Sequence, residues 1–174
     1  MCPTGWEDDL TLATDDSASH GAVIRTRLIG VGVTAPTPSD TTTFYEIVGY
    51  LDEAVIRALW SKTFKGFGRH GSMVVRDEGT ISWIVESVRR AGSNREPAWC
   101  VAGCGLYRTV TGHAFIDCNH RTGWLLSQTL MECAGYELTR PTNEVVRFVK
   151  SIDGEGRDEE EVKEWVRRAF LRLG

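Results

Sequence analysis

Apolar residues recur along most of the chain at intervals of three and four positions, the spacing that places them on one face of an α-helix. The pattern begins at Phe44 and continues almost to the C-terminus. Glycines and short polar connections interrupt it, so it predicts a mainly α-helical domain built from several helices. The predicted helices are Asp52–Phe64, Thr80–Arg90, Pro97–Thr111, Asn119–Ala134, Asn143–Ser151 and Asp158–Leu173.

Local signals add detail to this arrangement. The helix Pro97–Thr111 is apolar on most sides, so we expect it at the centre of the domain. Gly135 is expected to end the predicted helix Asn119–Ala134. Asp158 is expected to cap the last helix, and the three glutamates that follow Asp158 complement the helix dipole. A short extended element is predicted at Ser72–Arg76.

The residues before Phe44 follow a different pattern. Met1–Ser19 is polar and acidic, Gly21–Val33 is β-branched and interrupted by glycines, and Thr34–Thr43 is rich in Pro, Ser and Thr. The second of these segments predicts a strand or a short hairpin, and the third predicts a linker. We therefore expect an N-terminal extension over residues 1–43, partly extended or disordered, and a helical domain over residues 44–174.

Composition and charge narrow the class of protein. The chain has 174 residues, of which 41% are hydrophobic and 25% charged, as in a soluble globular protein. Its 24 acidic and 20 basic residues give a formal charge of -4, which makes no electrostatic case for nucleic-acid binding. No apolar run is long enough to span a bilayer, and Met1–Leu10 has no signal-peptide pattern, so we expect a cytoplasmic protein without a membrane partner.

The cysteines do not indicate a disulfide framework or a zinc site. The chain contains five of them, an odd count, in a sequence without a signal pattern. They include no close Cys-x-x-Cys pair of the kind found in zinc sites. We expect Cys100, Cys104 and Cys133 to be small buried residues of their helices.

The candidate chemistry lies in His113–Thr122, between two predicted helices. The start of a helix presents unpaired backbone N–H groups and a positive dipole end, which favour phosphate. Arg121 adds a planar cation that matches phosphate oxygens, and Asp117 is the type of oxygen ligand that Mg²⁺ takes alongside phosphates. His113 is able to accept a proton near neutral pH, and Phe115 is suited to anchor the loop in the core.

A plainer interpretation of the same loop is open. In it, Asn119 or Asp117 caps the following helix, His113 is a surface imidazole, and Arg121 is solvated. The order and spacing of the whole set favour the functional interpretation over this one. The pattern His113-x-Phe115-x-Asp117-x-Asn119-x-Arg121 closely resembles the signature of the Fic/Doc (Fido) family, which is His-x-Phe-x-Asp/Glu-Gly/Ala-Asn-x-Arg.

Flanking segments extend the resemblance. Val75–Arg90 is similar to the Arg-Asp-x-Gly helix start of Doc-type chains, and Gly135–Leu138 and the Glu-rich last helix also resemble that branch. The resemblance covers the chain from about Phe44 to Leu173 and leaves the N-terminal extension out. It implies a compact Fic/Doc-type helical domain that transfers part of a nucleoside triphosphate, here ATP, to a hydroxyl group of another protein.

The resemblance also implies roles for individual residues. His113 would be the base that deprotonates the target hydroxyl, and Asp117 would hold Mg²⁺. Asn119 and the backbone around Cys118 would line an anion hole, and Arg121 would bind phosphate. The residues expected to contact the phosphates of the nucleotide are Cys118, Asn119, His120, Arg121 and Thr122.

A second segment would contact the target protein. The extended stretch formed by Met73, Val74, Val75 and Arg76 falls where the family has the flap that aligns the target segment. A plain connecting strand is an equally acceptable interpretation of the same stretch.

Three positions depart from the family pattern. Cys118 stands where Gly or Ala is usual. His120 stands where AMP-transferring Fic proteins have Gly and Doc-type toxins have Lys. Trp124 stands where AMP-transferring members have a second Arg that holds the distal phosphates. The last two departures favour a Doc-like kinase, which transfers the γ-phosphate, over an AMP transferase.

Regulation is expected to come from a separate antitoxin. Ser151–Gly156 matches the letters of the Ser/Thr-x-x-x-Glu-Gly/Asn motif by which many Fic proteins inhibit themselves. Its two glycines make a poor helix, and it falls between two predicted helices, so we interpret the match as chance. The sequence thus predicts a Doc-like toxin that acts on a host protein. Fic-type AMP transfer and an inactive module that binds nucleotide or a partner are the alternatives.

Overall fold

The computed structural model of the chain describes residues 41–65 and 74–173, and these residues form seven helices and two short strands. The helices are α1 Thr41–Gly49, α2 Glu53–Lys65, α3 Glu78–Ser93, α4 Ala98–Gly112, α5 Asn119–Cys133, α6 Thr142–Gly154 and α7 Glu159–Ala169. The strands β1 Tyr136–Leu138 and β2 Phe170–Arg172 pair antiparallel, with Tyr136 opposite Arg172. The predicted mainly helical fold with a small β element is confirmed.

Helix α4 lies at the centre of the fold. It contacts α3, α5, α6 and α7. Its apolar side chains Val101, Ala102, Leu106 and Val110 are all fully buried. This central position, expected from a helix that is apolar on most sides, is therefore confirmed.

Glycines allow α4 to approach its neighbours closely. A Cβ atom added at Gly103 would lie 2.7 Å from the Cα of Lys163 on α7. One added at Gly123 of α5 would lie 3.1 Å from the carbonyl oxygen of Leu106. The backbones of α4, α5 and α7 are therefore in near contact, and this contact determines where the start of α5 lies.

The helix ends follow the local signals in the sequence. Asp158 caps α7 through a reciprocal pair of hydrogen bonds with Glu161. Gly135 follows α5 with a φ of 80°, a left-handed conformation that glycine adopts without strain. Asp77 caps α3 by accepting a hydrogen bond of 2.9 Å from the Gly79 N–H.

Three predicted helices have wrong bounds. The helix predicted at Thr80–Arg90 runs over Glu78–Ser93. The last helix ends at Ala169, because Phe170 turns into an extended conformation and β2 pairs with β1 instead of continuing the helix to Leu173. The preceding helix does not end at Ser151 but continues to Gly154, so the first part of Ser151–Gly156 is helical. Tertiary packing of Ser151 and Ile152, which are both buried, outweighs the low helix propensity of Gly154.

The predicted boundary of the N-terminal linker is also slightly wrong. Helix α1 begins at Thr41, inside the segment Thr34–Thr43 that was expected to be a linker. Burial of Phe44 and Val48 against the core accounts for a helix here. The strand or hairpin predicted at Gly21–Val33 lies outside the described residues. Across residues 41–65 and 74–173, no helix combines the length and the apolar character needed to cross a membrane.

The close packing at Gly103 leads to a stability prediction. We expect Gly103→Ala to lower the free energy of unfolding by roughly 1–3 kcal/mol, because the new methyl group would overlap the backbone of α7. Gly49→Ala is the matched control, since a Cβ atom there meets nothing within 4 Å. We expect it to change the free energy of unfolding by less than about 1 kcal/mol. Urea denaturation of both variants measures the difference. Equal midpoints for the two variants would contradict the close approach of α4 and α7.

Candidate functional site

The loop between α4 and α5 begins and ends with a left-handed residue. His113 ends α4 with φ 50° and ψ 42°, and Cys118 precedes α5 with φ 69° and ψ 15°. Such a conformation is rare for residues other than glycine. The geometry explains why Gly suits position 118 in the pattern that the loop resembles. The Cys118 side chain is buried.

The side chain of Asn119 closes this loop. Its Oδ1 accepts a hydrogen bond of 3.0 Å from the Phe115 N–H, and its Nδ2 donates one of 2.7 Å to the Phe115 carbonyl. The amide is buried, so both bonds lie in a low-dielectric environment. Asn119, expected to line an anion hole, thus has its side chain engaged in holding the loop backbone.

Helix α2 supports the loop from the core. Phe115 is 1% exposed, and its ring stacks on that of Trp60 with centroids 4.3 Å apart and planes inclined by 9°. The indole Nε1–H of Trp60 also donates a hydrogen bond of 3.1 Å to the carbonyl of Asp117. One tryptophan therefore fixes the loop at two points, through ring packing and through a hydrogen bond.

An extended segment runs beside the loop. Val75 forms an antiparallel bridge with Phe115, and the N–H of Arg76 donates a hydrogen bond of 2.8 Å to the carbonyl of Ala114. The side chains of Val74 and Ile116 are exposed on the outer edge of this pair. The expected flap segment therefore lies along the loop over Val74, Val75 and Arg76, while its first residue, Met73, lies outside the described residues.

Asp117 lies half-buried at the end of the loop. Its Oδ1 accepts a hydrogen bond of 2.7 Å from the Cys118 N–H, which orients the carboxylate. Within the part of the chain that the structure describes, no group of three or more His, Cys, Asp or Glu residues is placed to hold a metal ion. A cation at Asp117 would therefore take most of its ligands from bound phosphates and water, as Mg²⁺ commonly does.

Arg121 and His120 lie in the first turn of α5, and both are half-buried. They follow Asn119 directly, so they lie at the end of α5 that carries the positive dipole. Both residues are therefore close in sequence and in space to the N–H groups at the helix start.

Asp153 joins this site, although nothing in the local sequence pattern singles it out. It lies in the last turn of α6, and its Oδ1 is 2.9 Å from the Nε2 of His120. Its Oδ2 is 4.0 Å from the Nε2 of His113. The only sequence signal was that Asp153 falls within Ser151–Gly156, the segment that matches the self-inhibitory motif.

Thr122 corrects the predicted phosphate-binding set. The residue is fully buried, and its hydroxyl donates a hydrogen bond of 2.8 Å to the Cys118 carbonyl and lies 3.2 Å from the hydroxyl of Thr63. It faces α2 because it is one position further round the helix than Arg121. Thr122 is thus a packing residue that joins α5 to α2, and its side chain is not accessible to a phosphate.

Trp124 is also a core residue. Its ring is buried between Trp165 of α7, at a centroid distance of 6.1 Å, and Phe170 of β2, at 5.9 Å. The position that carries a second Arg in AMP-transferring members is therefore part of an aromatic cluster in this chain.

Glu155 lies just beyond the end of α6. Its carboxylate accepts a hydrogen bond of 2.8 Å from Arg157, and the residue is exposed. Although α6 is longer than predicted, it ends before Glu155. The acidic residue of the motif-like segment is therefore not presented from a helix.

The cysteines are placed mostly as expected. Cys104 and Cys133 are buried, and Cys100 is half-buried. Burial raises the pKa of Cys100 and of Cys104 to about 11. Both thiols are therefore protonated and unreactive near neutral pH.

A scan against protein-family models and a search of curated proteins both find no match to this chain. The resemblance to the Fic/Doc family therefore depends on the loop residues and on their arrangement.

The Asn119 hydrogen bonds lead to a second prediction. We expect Asn119→Ala to lower the free energy of unfolding by roughly 1–3 kcal/mol for each Phe115 backbone group that it leaves buried without a partner. Asn143→Ala, at an exposed position of α6, is the matched control and should change the free energy of unfolding little. Thermal denaturation compares the two variants. If both melt together with the wild type, the loop does not depend on this amide.

Proposed function

We propose that this chain is a Doc-like transferase that moves the γ-phosphate of a nucleoside triphosphate, with ATP as the first choice, to a hydroxyl group of a host protein. One observation supports this function best. The bridge between Val75 and Phe115 holds an extended segment beside the loop that carries His113 and Asp117. One side of such a site would hold the target backbone, and the other the reacting groups.

The start of α5 is suited to bind the phosphates. The first N–H groups of a helix lack partners within the helix, and the helix dipole is positive at this end. Arg121 lies in the first turn and carries a permanent positive charge with planar donor geometry.

Mg²⁺ would be held at Asp117, together with phosphate oxygens of the nucleotide. The carboxylate is oriented by the Cys118 N–H, and the adjacent carbonyl of Asp117 is fixed by Trp60. A single protein carboxylate combined with phosphates and water is a common Mg²⁺ environment. When bound, the ion would neutralise charge on the phosphates during transfer.

His113 would accept the proton of the target hydroxyl. As the O–H bond breaks, the hydroxyl oxygen forms a bond to the γ-phosphorus. The bond between that phosphorus and the bridging oxygen breaks, and the nucleoside diphosphate leaves with the electron pair. The side chain of His113 is 45% exposed, so an incoming hydroxyl group is able to reach it.

The transfer of phosphate rather than AMP is favoured by position 124. AMP transfer needs a grip on the distal phosphates beyond Arg121, so that the α-phosphate meets the hydroxyl. Trp124 is enclosed by aromatic rings and offers no charge there. At position 120, the imidazole hydrogen-bonded to Asp153 fills space that the AMP-transferring branch leaves to Gly.

There are two alternatives to γ-phosphate transfer. One is Fic-type AMP transfer, with a cation from elsewhere in the fold in place of the second Arg. The other is an inactive module that binds a nucleotide or a partner. Cys118, in a left-handed position suited to Gly, supports the second alternative because it departs from the family pattern within the loop that would bind phosphate.

We further propose that a separate antitoxin controls this activity in the cytoplasm. The pairing of Glu155 with Arg157, beyond the end of α6, supports control by another protein over control by Ser151–Gly156.

Replacing the proposed base tests the function directly. With γ-labelled ATP and a host-cell extract, we expect His113→Ala to lower transfer to protein by about 10²–10⁴-fold, because no group would accept the hydroxyl proton. His20→Ala, a histidine change in the N-terminal extension, is the matched control and should keep full activity. Circular dichroism checks that both variants fold. Undiminished transfer by His113→Ala would exclude this residue as the base.

The transferred group is identified by the mass added to the target protein. We expect a gain corresponding to phosphate when wild-type protein acts with ATP, because position 124 does not hold the distal phosphates for AMP transfer. Mass spectrometry of modified host proteins makes the measurement, with the His113→Ala reaction as the blank. A gain corresponding to AMP alone would assign the chain to the Fic branch.

A further inference from the structure

We infer that Asp153 is a positioning residue for His113, and that it acts through a carboxylate shared with His120. The inference rests on the proposed function, in which His113 is the base. It assigns a role in the reaction to α6, and a role to the imidazole at position 120 other than contact with phosphate.

The geometry brings together three separate elements. His113 ends α4, His120 lies in the first turn of α5, and Asp153 lies in the last turn of α6. The two carboxylate oxygens of Asp153 point to different rings. Oδ1 is 2.9 Å from the Nε2 of His120, a hydrogen bond, and Oδ2 is 4.0 Å from the Nε2 of His113. An ionised carboxylate only accepts, so His120 donates through Nε2.

The turn that carries Asp153 is itself held in place. The preceding residue, Ile152, is 1% exposed, and its carbonyl accepts a hydrogen bond of 2.9 Å from the Arg157 N–H. Ser151 is also buried, and its hydroxyl donates a hydrogen bond of 2.8 Å to the Phe148 carbonyl. The carboxylate of Asp153 therefore extends from a fixed backbone, as preorganised sites require.

His113 depends on this carboxylate for its orientation. Among the residues that the structure describes, Asp153 is the only polar group in contact with the ring of His113. Without it the exposed side chain would be free to turn among several rotamers. The hydrogen bond from His120 holds the carboxylate of Asp153 in place. His120 therefore positions Asp153, and Asp153 in turn positions His113.

The same carboxylate favours the charge that forms during the reaction. When His113 takes the proton of the hydroxyl group, its ring becomes an imidazolium, and a negative charge 4.0 Å away stabilises it. The proton is taken up by His113, and Asp153 acts as the third group that orients a histidine base.

The test compares Asp153→Asn with the control variant Glu155→Gln. Both variants replace a carboxylate by an amide, but the Glu155 carboxylate is paired with Arg157. We expect Asp153→Asn to lower kcat by up to about 10²-fold, as for a misplaced reacting group, with the KM for ATP unchanged. Asp153→Glu should restore part of kcat, because it returns the carboxylate. Glu155→Gln should retain wild-type kcat and KM.

A spectroscopic measurement separates this inference from the proposed function. Ring ¹⁵N signals, assigned by their loss in His113→Ala and His120→Ala, should shift for both histidines in Asp153→Asn and stay in place in Glu155→Gln. This measurement needs no activity. If the wild type transfers nothing but the signals shift, the proposed function fails and the contact stands.

The opposite outcome would overturn the inference alone. It would be an active wild type whose Asp153→Asn variant keeps kcat and leaves the His113 signals in place. A Glu155→Gln variant that alone altered both readouts would assign the role to Glu155. If Asp153→Asn fails to fold, as judged by circular dichroism, His120→Ala decides, because it removes the hydrogen bond that holds the carboxylate. A shift of the His113 ring signals in that variant supports the inference, and unchanged signals oppose it.

Discussion

The candidate site depends on one buried amide. Asn119 bonds both the N–H and the C=O of Phe115, so it ties the start of α5 back to the middle of the preceding loop. These bonds are hard to replace, because Phe115 and Asn119 are both buried. The two bonds fix the backbone at Phe115, and His113 and Asp117 lie on either side of it in the loop.

Helix α2 provides the second constraint, and it acts from a distant part of the sequence. Trp60 stacks on Phe115 and donates to the Asp117 carbonyl, and Thr63 contacts the buried hydroxyl of Thr122. These contacts join α2 to the loop and also to the first turn of α5. The loop is thus packed directly against core residues. Such support from the core is what holds the side chains of a site in place.

The sequence predicts the parts of the fold that local periodicity determines. It places the helices from α2 to α7, the central position of α4 and the glycine after α5, but it does not predict α1. It does not predict the end of α7, because the apolar stripe of that helix continues through Phe170 into Leu173, and only pairing with β1 makes these residues extended. A long-range contact of this kind leaves no mark on local spacing.

The candidate site was predictable to a similar extent. The loop and its flanking segment lie together, as the resemblance implies, although α3 and α4 separate Val75 from Phe115 in the sequence. Thr122 was assigned to phosphate from its neighbours, although helix geometry turns it towards α2. Asp153 was missed because it reaches His120 only through the packing of α6, which no motif in the sequence encodes.

The backbone at Cys118 carries a consequence for how this loop tolerates change. A left-handed conformation costs a residue with a side chain roughly 1–2 kcal/mol relative to glycine. Glycine in turn lowers stability by roughly 0.5–1 kcal/mol, because it gains freedom in the unfolded chain. The first effect is the larger, but burial of the Cys118 side chain in the core offsets part of what remains, so stability alone selects only weakly between Cys and Gly at the start of α5. Position 118 is therefore able to change between these two residues without altering the backbone that starts α5.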